Sequence, residues 1–268
     1  MTAAARFDRW MASHPLAYGT LLLVTTVVVL VLFVDLPLAV YLRASGFAVL
    51  RPALDTIGEL GRAEGWVFGA LLVYALSLWY RRCSAAADWW CWLGRHCLLL
   101  LVSLAATGAV LHSLKALIGR SRPELFFTEQ VYAFGRIAEG RPWDSMPSGH
   151  TQVAFAVAAV LTLTLPSLRL PIFVTAGLVA LSRLVSGAHY LSDVLISICL
   201  CLAIVRFLAR SLLEPRKQWP DRPPWTWWQD WSAAYGGWRL RVRQVRPFGF
   251  RLLVRVTEPL NRDSRRSE

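Results

Sequence analysis

Charge is scarce in this chain. Only 17% of its 268 residues are Asp, Glu, Lys or Arg, against 56% hydrophobic, too few polar groups to cover an ordinary water-facing domain. Disordered, collagen-like and coiled-coil classes are excluded by the same balance. The five cysteines, Cys83, Cys91, Cys97, Cys199 and Cys201, are odd in number and include no Cys-x-x-Cys, so they read as packing residues and not as a metal or redox motif. Internal repeats are absent too.

What is present is apolar length. Ala17 to Val34 and Cys97 to Leu114 are each eighteen residues without a charge, close to the ~20 that cross a bilayer core. The chain therefore reads as a multi-pass integral membrane protein. Arg6 and Arg9 precede a run longer than a signal-peptide core, which favours an uncleaved first transmembrane helix. The net charge of +12 sits at the ends of apolar runs and in the tail, which points to anionic membrane lipids and not to nucleic acid. Oligomeric state is not legible.

The expected fold class is all-α, a bundle of six transmembrane helices at Ala17–Tyr41, Gly65–Tyr80, Cys97–Leu114, Thr151–Leu165, Leu170–Ser182 and Tyr190–Ala209. The fifth run is short unless the helix continues past Arg183 into a protected polar pocket. Residues 1–213 form the expected membrane domain, and residues 214–268 a basic, Trp-rich tail at the membrane surface. In that tail Trp225, Trp227, Trp228 and Trp231 crowd together, and Trp238 to Val256 alternates apolar residues with arginine. Period two favours a β-hairpin turning at Arg246-Pro247-Phe248-Gly249, with a disordered basic tail as the alternative.

Three polar clusters fall at the ends of spans: Lys115-Ala-Leu-Ile-Gly-Arg-Ser-Arg122-Pro123, then Pro147-Ser148-Gly149-His150, then Ser182-Arg183-Leu-Val-Ser-Gly-Ala-His189-Tyr-Leu-Ser-Asp193. Together they hold the parts for phosphoryl transfer. Lys115, Arg122 and Arg183 offer a point charge and two planar forks to phosphate oxygens. Ser148 and Gly149 open a helix whose first amides face an anion. His189 and Asp193, four apart, share a helical face, so the carboxylate can take the Nδ1–H and leave Nε2 to attack phosphorus. His150 is then the general acid. No Asp, Glu or His cluster suggests a metal site, and three cations make a metal or other cofactor unnecessary.

These three clusters closely resemble the three-part signature of the type-2 phosphatidic acid phosphatase superfamily. The resemblance implies a phosphohistidine on His189, partnered by Asp193, with His150 as acid and Lys115, Arg122, Ser148, Gly149 and Arg183 binding phosphate. It implies an integral membrane phosphatase, metal-independent, acting on a lipid phosphomonoester or pyrophosphate. Polyprenyl pyrophosphate, phosphatidylglycerol phosphate, phosphatidic acid and lipid A phosphate are the candidates. The alternatives are a lipid phosphotransferase using the same site and a non-enzymatic lipid-binding scaffold or transporter.

Other polar residues receive blander readings. Asp35 is expected to be a helix-end residue, and His112 either supports the site or sits at the interface. Asp55, Glu59, Arg62 and Glu64 are expected on a solvated or interfacial helix, and Glu124 to Asp144 in a surface loop where headgroup selectivity could reside. Six spans place both termini opposite the clusters. The juxtamembrane cations Arg210, Arg216, Lys217 and Arg222 favour cytoplasmic termini in a bacterial-type inner or plasma membrane, with the site outside the cytoplasm.

Overall fold

The structure is a computed structural model that describes residues 15–83, 87–213, 238–245 and 252–259. The chain divides into two compact units. One is Leu22–Lys217; the other joins the terminal segments outside it. The membrane unit is all-α, and five of its helices are long and apolar enough to cross a bilayer.

The first span runs as α1 (Pro15–Val29), a π-helical turn (Leu30–Val34) and α2 (Asp35–Ala44). Pro37 explains the widened turn: it has no N–H for the Phe33 carbonyl, and its ring crowds the preceding turn. A short amphipathic helix follows, α3 (Arg51–Gly58), which buries Leu54 and Gly58 against the bundle. Next come α4 (Ala63–Cys83) and α5 (Ala87–Ile118), packed as a hairpin. At 32 residues α5 is ~48 Å long, longer than a bilayer core, so it carries Lys115 out to the polar end.

After the short α6 (Pro123–Glu129) and a loop comes α7 (Gly149–Thr164), the centre of the bundle. Its sixteen residues are fewer than a lipid-facing span requires. Residues Thr151 to Val160 are nonetheless buried in succession, because α5, α8 (Arg169–Val185) and α9 (Leu191–Leu213) pack around that stretch. Ala154, Ala156, Ala158 and Ala159 let those neighbours approach closely. The short helix is thus the fourth run and not the fifth, since α8 continues through Arg183 to Val185.

The second unit contributes two described strands, β1 (Trp238–Val245) and β2 (Leu252–Pro259). They pair antiparallel, with Trp238 opposite Pro259 and Val245 opposite Leu252. The expected turn at 246–249 and the tryptophan cluster at 225–231 lie outside the described residues.

Candidate active site

The first cluster is shaped by two helix signals. Gly119, at φ 53°, ends α5 in a left-handed residue, and Pro123 opens α6 with Arg122 as its cap. Residues 120–122 therefore bridge two helices as non-helical backbone, extended at Arg122. That geometry sends the two arginines to different places.

Arg122 lies at the mouth of the site. Its Nε and one terminal nitrogen donate to the two carboxylate oxygens of Asp144 at 2.7 and 3.0 Å. Lys115 Nζ donates to the Asp144 backbone carbonyl at 2.5 Å and stands 3.8 Å from its carboxylate. Burial alone would raise the Asp144 carboxyl, but the Arg122 fork and Lys115 draw it down to about 2. On the opposite wall Arg183 stands 3.6 Å from Asp55 of α3, while Arg51 donates to the Ser186 carbonyl at 3.2 Å. Gly58 lies directly against Arg183 and Ser182, and Gly61 against His150, with no room for a β-carbon at either. The segment expected as a solvated interfacial helix is thus a wall of the site.

Arg120 was missed by the sequence reading, and it is fully buried. One terminal nitrogen donates to Asp193 at 2.6 Å and to Ser192 Oγ at 2.7 Å; the other donates to Asp35 and to the Tyr132 hydroxyl, each at 2.8 Å. Tyr190 and Phe134 cover its faces at 4.3 and 5.0 Å. Asp35 also accepts from the Ser192 amide and hydroxyl. It is 1% exposed, so the expected helix-end residue is instead an ion-paired group deep in the protein. Tyr132 closes the link to the first span by donating to the Val31 carbonyl at 2.7 Å, in the π-helical turn. The GRSRP stretch offered a signal, a second arginine two residues before Arg122, and so did a carboxylate inside an apolar run.

The His189 geometry departs from the shared helical face. His189 lies in the turn before α9, and Asp193 in that helix's first turn. Asp193 bends back to accept from the Tyr190 amide at 2.8 Å, as an acidic residue does at the third position of a helix. Its carboxylate also accepts from Ser145 Oγ at 2.6 Å and from Arg120. It stands 3.8 Å from His189 Nδ1, beyond hydrogen-bond reach. The Ser145 carbonyl takes that place at 2.6 Å. A carbonyl only accepts, so Nδ1 carries the proton and the neutral ring keeps its lone pair on Nε2. Burial, assisted by the charges of Arg122 and Lys115 and opposed by Asp193, lowers the imidazole to about 4.

The second cluster begins α7. Ser148 is fully buried and accepts from Thr151 Oγ1 at 3.0 Å. Its amide, expected to face an anion, donates instead to Ser197 Oγ at 2.7 Å. The amides of Gly149 and His150 are left without intrahelical acceptors by their place at the helix start. Lys115, Arg122, Asp144, His189 and Asp193 are thus joined at one end of the bundle, next to the start of α7 through Ser145 and Ser148. His112 is exposed on α5 and joins none of them. Among the described residues no three His, Cys, Asp or Glu side chains are grouped to hold a metal ion.

This arrangement has relatives. The model of the PAP2 superfamily matches residues 96–217, which include all three clusters. Over 190 residues the chain is 27% identical to a lipid A 1-phosphatase of Rhizobium etli, covering 68% of this chain and 79% of that protein. A lipid A 1-phosphatase of Rhizobium johnstonii is 31% identical over 114 residues, 42% of this chain and 46% of that one. The crystal structure of a transmembrane PAP2-type phosphatidylglycerolphosphate phosphatase from Bacillus subtilis shares the fold, with a TM-score of 0.55 at 22% identity over 77% of this chain and all of that one. The part of the chain that carries all three clusters is thus the part that is similar to the PAP2 superfamily, and the bundle around it has the fold of a PAP2-type membrane phosphatase.

Proposed function

We propose that the protein is a membrane lipid phosphate phosphatase working through a phosphohistidine on His189 without a metal ion. One observation carries the reading. The Ser145 carbonyl holds the Nδ1 proton of a buried, neutral His189, which leaves the Nε2 lone pair as nucleophile beside Lys115 and Arg122. Nε2 attacks phosphorus and the bond from phosphorus to the lipid oxygen breaks. His150 gives its proton to the departing alkoxide, so the first step yields lipid alcohol and phosphohistidine. Water then attacks phosphorus and loses a proton to His150, and the Nε2–P bond breaks to release phosphate. Lys115, Arg122, Arg183 and the first amides of α7 stabilise the charge on the equatorial oxygens. Ser148 shapes the helix start and supplies no amide of its own.

A lipid A 1-phosphate is the substrate to test first, because the two Rhizobium relatives named above are lipid A 1-phosphatases. On the six-span reading of the sequence, the proposal has this site on the side opposite both termini, outside the cytoplasm. Detergent-purified protein should release phosphate from lipid A 1-phosphate in the presence of EDTA. It should form an acid-labile phosphoprotein that His189→Ala cannot form. Turnover that EDTA abolishes and Mg²⁺ restores would overturn the metal-free reading; phosphate that appears only with an acceptor lipid would make the protein a phosphotransferase.

A further inference from the structure

The cations at the mouth already have an anion. Arg122 gives one whole edge of its guanidinium to Asp144, through two bonds of 2.7 and 3.0 Å. A phosphate takes the same edge in the same planar geometry. Lys115 is drawn to the same residue by its backbone carbonyl and by its carboxylate. The Asp144 side chain is 29% exposed while those of Arg122 and Lys115 are 12% and 11% exposed, so the carboxylate lies on the accessible side of both cations.

The backbone behind it is fixed. Ser145, the next residue, donates its amide to the Arg120 carbonyl at 3.0 Å and its hydroxyl to Asp193. Its carbonyl accepts from His189. The chain at 144–145 thus presents one side chain inward to the nucleophile's support and the neighbouring one outward over the phosphate donors. A carboxylate with a single charge and two oxygens is a weaker ligand for two cations than a phosphate dianion with three. It can hold the donors in place and still be displaced.

We propose that Asp144 is a built-in competing ligand that occupies the phosphate donors of Lys115 and Arg122 in the substrate-free protein and is displaced by the substrate's phosphate. This rests on the phosphatase reading above. The carboxylate limits affinity for any single phosphate group and selects for substrates that bring enough charge to displace it. Inorganic phosphate, the product, must displace the same carboxylate, so Asp144 also speeds product release.

The test uses full-length protein in detergent, with inorganic phosphate and orthovanadate as probes. Dissociation constants come from calorimetry and from the ligand-dependent rise in Tm. Asp144→Asn removes the charge and keeps the shape; Asp144→Ser is the second variant should the first fail to fold. Both should bind phosphate and vanadate about tenfold more tightly than the unaltered protein, the scale of one charged hydrogen bond released from competition. KM for the lipid substrate should fall in parallel. Unchanged or weaker binding in a folded variant would overturn the proposal, since Asp144 would then only orient Arg122. If neither the unaltered protein nor the variants bind either anion, the phosphatase reading itself falls; if the unaltered protein binds and the variants bind no tighter, only the role of Asp144 falls.

Discussion

Arg120 and Arg122 stand two residues apart in one interhelical segment, yet they make opposite kinds of ion pair. Arg120 sits at 0% exposure between two carboxylates that are equally buried, Asp35 from the first span and Asp193 from the last. Arg122 faces a single carboxylate that water reaches. In the first case removal of the cation leaves two carboxylates stranded in a dry interior, so the cluster behaves as fixed structure. In the second, solvent and an incoming anion both compete for the donors, so the pair is exchangeable. Burial thus separates a fixed ion-pair cluster from an exchangeable one at two arginines of the same segment.

The largest effect should come from Arg120→Gln, which leaves Asp35 and Asp193 buried without a cation and should cost ~3–5 kcal/mol. Thermal unfolding in detergent should show it, with turnover lost as well; a variant with unaltered Tm would erase the distinction between the two arginines. Asp35→Asn is milder, because Arg120 and Asp193 remain as a one-to-one pair. A loss of ~1–3 kcal/mol is expected, with phosphate release retained. Equal damage from both substitutions would mean that Arg120 is not the charge on which both carboxylates depend.

Acid separates the two regions in another way. His189 is active when neutral and its proton is lost above about 4, so kcat/KM should rise with pH through that value. Asp144, held at about 2, stays ionised across the same interval, so phosphate affinity of the mouth should not change through its titration. An acid limb near the ordinary histidine value would show that His189 is not buried in the working enzyme. The smallest effect is expected from Arg141→Ala, which breaks an exposed pair with Glu124 of 2.8 Å. Both partners are solvated, so stability should move by less than ~1 kcal/mol.

Legibility followed the range of the physics. Hydropathy is local, and the apolar runs beginning at Ala17 and at Cys97 were readable without a structure. Apart from the length of the fourth and fifth runs, the expectations that the structure changes concern partners. A spacing of four between His189 and Asp193 suggested one helical face, but Gly187 and Ala188 turn the chain before α9 begins, and the Ser145 carbonyl reaches Nδ1 first. Asp35 looked like a helix-end residue because its partner Arg120 is 85 residues away. Asp144 was readable only as part of a loop where headgroup selectivity could reside, because its contacts with Lys115 and Arg122 lie 29 and 22 residues away.

By itself the sequence determined that the chain enters a membrane, that three polar clusters meet the ends of its spans, and which family those clusters resemble. These follow from composition and short-range spacing, which no packing arrangement alters. Only the tertiary structure decided which carboxylate serves which cation, which nitrogen of His189 carries the proton, and that one arginine of the GRSRP stretch is buried between two carboxylates while the other pairs with a partly exposed one. Each of those depends on the distance and burial of groups far apart in the chain, because in a low-dielectric interior a few ångströms separate a bonded charge from a stranded one.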